Sequence, residues 1–254
     1  MNLLVVLLTF NRKEYSQKTL DNLIATIKVP HYILAVDNAS TDGTQEWLQK
    51  ELNDGRINKI VLNEENFYPG KAMNIAWTEG IALYPEATHL MRLDNDMKLE
   101  PGWDEICQKY FEKIPNLGQI GLEHGAIEHP DAMSMSLKFD DLTLVYWPGN
   151  VGGPNIITRR VWEQGLRYRE DKWDHHGLNR PTPQEDALFS MDINQAGYLF
   201  GHTIEKIGVT FANHTNWKDY PEYYLKTMKE RGYDDVYRDT LRELEEQSSN
   251  AASK

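Results

Sequence analysis

The chain has 254 residues and a mass of 29.5 kDa, with 40% hydrophobic and 26% charged residues, a composition that excludes global disorder and fibrous repeats. Lys and Arg contribute 27 positive charges and Asp and Glu 39 negative ones, a net charge of −12 that opposes binding to a phosphate backbone. One cysteine, Cys107, rules out an internal disulfide and a cysteine-based zinc site.

Leu3 to Leu8 is apolar without alternation, as expected of a strand buried on both faces of a parallel sheet. It is far shorter than the roughly 20 residues that span a bilayer. It also lacks the basic lead-in and small-residue cleavage site of a signal peptide, so a soluble, cytoplasmic protein is expected. Leu20, Leu23, Ile24 and Ile27 then fall on one helical face. The alternation continues with a strand over Tyr32 to Val36, a helix over Thr44 to Leu52 and a strand over Ile57 to Leu62. A helix over Ala72 to Leu83 and a fourth strand over His89 to Leu93 follow. Strands alternating with helices at this spacing predict right-handed crossovers and a doubly wound α/β sheet.

Beyond Asp96 the rhythm loosens. A helix is expected over Trp103 to Lys113, short strands around Ile120 and over Leu142 to Trp147, a glycine-rich turn from Gly149 to Gly153, and an apolar strand over Asn155 to Thr158. Tyr168 to Pro183 is polar, aromatic and irregular, the signature of a functional loop. A helix over Glu185 to Ala196, a strand over Ile204 to Phe211 and two polar helices, Tyr220 to Arg231 and Asp234 to Glu246, complete the pattern. No linker or repeat divides it, so residues 1–218 are expected to form one domain of two functional halves, 1–98 and 99–218. C-terminal helices within 219–247 and a frayed tail, 248–254, follow.

Ligands of parallel α/β sheets bind beyond the carboxyl ends of the strands, where this chain concentrates polar residues: Thr9, Asn11 and Arg12 after the first strand, Asp37 to Thr44 after the second, Asn63 and Asn66 after the third, and Asp94, Asn95 and Asp96 after the fourth. Two carboxylates as close as Asp94 and Asp96 repel unless a cation or proton lies between them, and hard oxygen ligands suit Mg2+ or Mn2+. An isolated Asp-x-Asp can also be a solvated turn, and Thr41 or Asp42 can simply cap the next helix. Gly70-Lys71 resembles the end of a P-loop, but Glu65 and Ala72 stand where that motif needs Gly and Ser or Thr.

Taken together, Val5 to Arg12, Asp37 to Thr44, the string Asn66, Ala72, Asn74, the triplet Asp94-Asn95-Asp96, and Glu185-Asp186 opening a helix that ends in Gly197-Tyr198 resemble the family 2 glycosyltransferases of the GT-A fold over residues 3–214. The resemblance implies a Rossmann-like, mainly parallel central sheet flanked by helices, with a smaller acceptor-side sheet. It makes residues 1–98 the donor half and 99–218 the acceptor half. It implies that Thr9 and Asp37 hold the base and ribose of a nucleotide-sugar donor, with Asn11, Arg12, Asp42, Asn66, Lys71, Asp94 and Asn95 contributing to that site. Asp96 would bind the divalent metal directly and Asp94 the ribose or a metal-bound water, with His214 as a third ligand or else a capping or core histidine. Asp186 matches the catalytic base of inverting relatives and Glu185 is the fallback; both could instead complement the helix dipole.

Gly152 and Gly153 match the acceptor-side turn. Tyr68 and Ala76 depart from the family's usual glycines, and Met73 from a common arginine whose charge Lys71 could supply. Trp173, His175 and His176, on the polar loop, suit stacking and hydroxyl recognition of an acceptor, whereas Trp147 suits the core.

The function implied is metal-dependent, inverting transfer of a sugar from a nucleoside diphosphate, UDP before GDP or dTDP, to a hydroxyl acceptor. The acceptor could be a glycan, a small molecule, a protein side chain or a modified nucleobase, the acidic charge disfavouring DNA. A sugar-phosphate nucleotidyltransferase would carry a glycine-rich loop after its first strand, where this chain has Thr9-Phe10-Asn11-Arg12-Lys13. A non-catalytic nucleotide or sugar module of the same fold is the other alternative.

Overall fold

The computed structural model describes residues 1–146, 149–170, 185–211 and 219–230, with Arg242 and Glu246. Strands β1 (Leu3–Thr9), β2 (His31–Asp37), β3 (Lys59–Leu62) and β4 (His89–Asp94) alternate with helices α1 (Lys13–Thr26), α2 (Thr44–Asn53) and α3 (Tyr68–Leu83). The four strands pair in parallel in the order β3-β2-β1-β4. All of β1 is buried because its alternate side chains enter two different cores. Leu3, Val5 and Leu7 pack with Leu20, Leu23, Trp103 and Tyr110 on one face. Leu4, Val6 and Leu8 pack with Ala72, Met73, Trp77 and Phe189 on the other. Each such side chain removed from water contributes roughly 1.5–3 kcal/mol, which is why the strand reads as a continuous apolar run.

After β4 the chain passes through β5 (Met97–Leu99), α4 (Trp103–Lys113) and β6 (Leu117–Gly121) to a hairpin of β7 (Ser136–Phe139) and β8 (Leu142–Val145). Strand β9 (Asn155–Thr158) then inserts antiparallel between β4 and β6. Helices α5 (Arg159–Glu163) and α6 (Glu185–Gln195) lead to β10 (Leu199–Thr203), parallel to β6. The result is one nine-stranded sheet, β3-β2-β1-β4-β9-β6-β10-β8-β7, and a second sheet in which β11 (Gly208–Thr210) pairs with β5. Helix α7 (Pro221–Glu230) closes the described chain, and among the described residues no helix is long and apolar enough to cross a membrane.

The strand expected over Ile204 to Phe211 is replaced by two strands in different sheets, β10 and β11. Gly201 hides β10 from propensity, yet the sheet needs it: a Cβ there would lie 2.6 Å from the carbonyl oxygen of Val145. The apolar stripe of α1 is also rotated. Tyr15, Ser16, Thr19, Leu20 and Leu23 are buried, while Ile24 is 37% exposed and Ile27 lies beyond the helix as its C-cap. Helix α3 starts earlier than expected, with Pro69 in its first turn. The short strand β5 and the polar edge strand β7 carry no pattern from which they could be read. Trp147, the loop from 171 to 184, residues 212–218 and the second C-terminal helix over Asp234 to Glu246, apart from Arg242 and Glu246, lie outside the described residues.

Candidate active site

Strand order reverses between β1, which continues to β2, and β4, which turns back the other way. The crevice beyond such a switch point is where open α/β sheets hold ligands. From β1, Thr9 donates to Asp37 Oδ1 at 2.8 Å, and Ser40 N and Gln45 Nε2 each donate to Asp37 Oδ2 at 2.9 Å. Thr9 and Asp37 are both fully buried in this network, which fixes the two strand exits to each other. Asn11 adds a second tie: its N–H donates to Ser40 Oγ at 2.7 Å and its Oδ1 accepts from Thr41 N at 2.9 Å. Asp42 caps α1 by accepting from Lys13 N at 2.9 Å, and its other oxygen accepts from Thr44 Oγ1 at 2.6 Å.

Arg12 takes a left-handed conformation, φ 57°, at the start of α1, which turns its side chain toward the exit of β4. Its Nη1 donates to Asp96 Oδ2 at 2.8 Å and to the Tyr224 hydroxyl at 3.1 Å, and its Nη2 donates to Asn95. The guanidinium carbon lies 4.7 Å from the ring centroid of Tyr223. Burial opposes its charge, but Tyr223 and Asp96 outweigh that and raise its pKa. At Asp96 burial dominates Arg12's opposing effect and, with Asp94's charge, raises the carboxyl.

Asp94 has a different counterion. Arg92, 4% exposed, donates from Nε to Asp94 Oδ1 at 2.8 Å and from Nη1 to Glu185 Oε1 at 2.9 Å. Arg92 therefore joins the carboxyl end of β4 to the first turn of α6, which also carries Asp186. Burial, then the charge of Glu185, pushes Asp186 up to about 6. Gly153 lies against this cluster: a Cβ would stand 2.5 Å from Asp94 Oδ2 and 2.6 Å from Arg92 Nη2. Gly152 precedes it at φ +72°, and the Asn155 amide donates to both glycine carbonyls and to the Tyr168 hydroxyl.

Sequence reasoning missed Arg92, Asn155, Tyr168, Tyr223 and Tyr224. A charge at the centre of the apolar strand Leu90-Met91-Arg92-Leu93 was the one visible signal.

On the α3 side, Asn66 Oδ1 accepts from Tyr68 N at 2.9 Å, and Tyr68 holds φ +60°, a conformation glycine adopts at less cost. Ala76 is fully buried, and Lys71 Nζ lies 3.7 Å over the Phe67 ring. The structure thus gathers Arg12, Asp94, Asn95, Asp96, Gly153, Glu185 and Asp186 about the β1 and β4 exits. Thr9, Asn11, Asp37 and Asp42 form the adjoining scaffold, while Asn66 and Lys71 stand at the entry to α3. His214, Trp173, His175, His176 and Trp217 lie outside the described residues.

Solved structures share this fold at low identity. TarS 1-349 of S. aureus in complex with UDP-GlcNAc gives a TM-score of 0.62 at 16% identity, over 97% of this chain and 72% of that one; the chain spans 39% of a longer TarS structure. The mannosyltransferase PcManGT of Pyrobaculum calidifontis, in complex with GDP-Man and Mn2+, gives 0.60 at 14%, over 99% and 75%. GalNAc-T7 with UDP, GalNAc and Mn2+ gives 0.60 at 14%, over 80% and 42%. No curated protein matches the chain. The sequence profile of Glycosyl transferase family 2 matches residues 4–166, from β1 through the Asp94-Asn95-Asp96 triplet and the glycine turn, and the chain belongs to that family.

Proposed function

We propose that the chain moves a sugar from a nucleoside diphosphate, a UDP-sugar, to a hydroxyl acceptor with inversion at the anomeric carbon, Asp186 acting as general base. The observation that carries this reading is the division of labour around Arg92. Glu185 is ion-paired with Arg92, which holds it as a carboxylate and makes it the weaker base, while Asp186 is raised to about 6. A base tuned toward neutrality is suited to accept an alcohol proton as the bond to carbon forms. The acceptor oxygen attacks the anomeric carbon, its proton passes to Asp186, and the bond from that carbon to the diphosphate oxygen breaks. The electron pair leaves with the diphosphate.

Asp94 and Asp96 supply hard oxygen donors that remain 25% and 16% exposed, a set that fits a divalent cation, Mn2+ or Mg2+. Among the described residues no group of three potential ligands forms, so a cation here would share these two carboxylates with the donor and with water. Bound there, it would neutralise charge on the leaving diphosphate. Arg12 is the cation that such an ion would compete with at Asp96. UDP or UDP-GlcNAc in the TarS and GalNAc-T7 structures supports a UDP donor, GDP-Man in PcManGT keeps GDP open, and Mn2+ in the latter two supports metal use.

The test is calorimetric titration of UDP, GDP and dTDP, with and without Mn2+, on the native chain and on Asp96→Ala. Binding of one nucleotide that needs both Mn2+ and Asp96 is expected. Failure of all three to bind the native chain overturns the reading.

A further inference from the structure

Strand register carries the site one residue further than the sequence shows. Asn155 of β9 pairs with Arg92 of β4 on one side and with Gly121 of β6 on the other. The ladder continues, since Leu122 N donates to the Pro154 carbonyl at 3.0 Å. Two residues on, side chains return to the same face of a sheet, so Asp94, Gly153 and Glu123 form a row across three adjacent chains. The middle member has no side chain, and a Cβ there would collide with Asp94. The strip between the two carboxylates is therefore open.

Glu123 is half-buried at the start of a 3-10 turn, and its side chain makes no cap hydrogen bond. Asp96 and Asp94 each have an arginine, but no ion pair or hydrogen bond from a described side chain reaches the Glu123 carboxylate. The nearest imidazole gives it no counterion. His202 lies beside Gly121, with the carbonyls of Asn150, Glu123 and Gly121 around its ring but none in hydrogen-bond geometry, and burial lowers its pKa to about 4. Burial and the charges of Asp96 and Asp94 raise Glu123 itself. A half-buried carboxylate facing two others is expensive unless a ligand supplies hydrogen-bond donors.

We infer that Glu123 recognises the hydroxyls of the transferred sugar, accepting their hydrogen bonds across the gap left by Gly153. The inference rests on the nucleotide-sugar reading above. A diphosphate would be repelled by this carboxylate. A sugar whose leaving group lies by Asp96 and whose anomeric carbon faces Asp186 passes Asp94, whose charge both Asp186 and Glu123 feel. Vicinal hydroxyls offer two donors to one carboxylate, so Glu123 would also discriminate between epimers.

The test compares binding of UDP with that of UDP-Glc, UDP-GlcNAc and, beside GDP, GDP-Man, by calorimetry with Mn2+ on the native chain, Glu123→Gln and Glu123→Asp. The Gln variant keeps the side-chain shape if a shorter one disturbs folding. The expected result is that Glu123→Gln weakens the preferred nucleotide-sugar roughly ten-fold, the loss of one charge-assisted hydrogen bond, with its free nucleotide shifted less than two-fold. Unchanged affinity for the nucleotide-sugar, or an equal loss for both ligands, overturns the role of Glu123. A native chain that binds neither nucleotides nor nucleotide-sugars overturns the donor-site reading, and the inference with it.

Discussion

Arg92 has one positive charge and three carboxylates around it. Asp94 and Glu185 take its nitrogens, so the third, Asp186, feels its charge only weakly and is left to desolvation and to Glu185. This explains how two adjacent acids at one helix start can differ in basicity. Asp186→Asn is expected to lower turnover by about 10²- to 10⁴-fold with nucleotide affinity unchanged, measured by donor consumption and calorimetry. In the native enzyme the rate should rise as pH increases through about 6, as the base loses its proton. Stability runs the other way. The folded pKa of about 6 exceeds the ordinary 3.8, so this group's contribution is fully present below pH 4 and is lost as pH rises through 6. Asp186→Asn should therefore melt higher than the native chain at pH 8, with the difference closing toward pH 4.

At the scale of elements, α3 and α6 meet where neither has room. A Cβ on Gly70 would stand 2.0 Å from the Arg169 carbonyl oxygen and 3.4 Å from Glu185 Cγ. Gly70→Ala must therefore move backbone rather than the tip of a flexible side chain. It is expected to lower stability by about 1–3 kcal/mol, the usual range for overpacking, in urea unfolding followed by circular dichroism. It should also reduce transfer, because the displaced turn carries the base.

The same meeting point shows what could be read in advance. The four parallel strands and their helices were legible because period and burial agree in them, as were the polar residues at their exits. Gly70 suggested a P-loop, whereas it serves packing. Arg92 was legible only as an oddity, since its partners Asp94 and Glu185 are brought together by β4 and α6, far apart in sequence. Glu123 has no local motif: its place depends on β9 lying between β4 and β6, a long-range pairing that no window of sequence contains. Tyr68 shows the converse, since the backbone turn expected of glycine persists there with a different residue.

For the whole molecule, the decisive fact is that both halves contribute to one sheet. Residues 1–98 end in a strand whose neighbour, β9, comes from 155–158, and neither half has a closed edge without the other. Unfolding in urea is expected to be a single transition, coincident by circular dichroism and tryptophan fluorescence; separated transitions would mean that the halves are independent units. The late arrival of β9 also affects how the protein is made. A ribosome releasing this chain in order completes β1 to β4 while the outer side of β4 still presents unpaired amides and carbonyls. About sixty further residues must emerge before the strand that covers them, some 3 to 12 seconds at ordinary elongation rates. During that interval the nascent chain carries an open, apolar edge, so its yield in a cell should depend on holdase chaperones and on translation speed between β4 and β9.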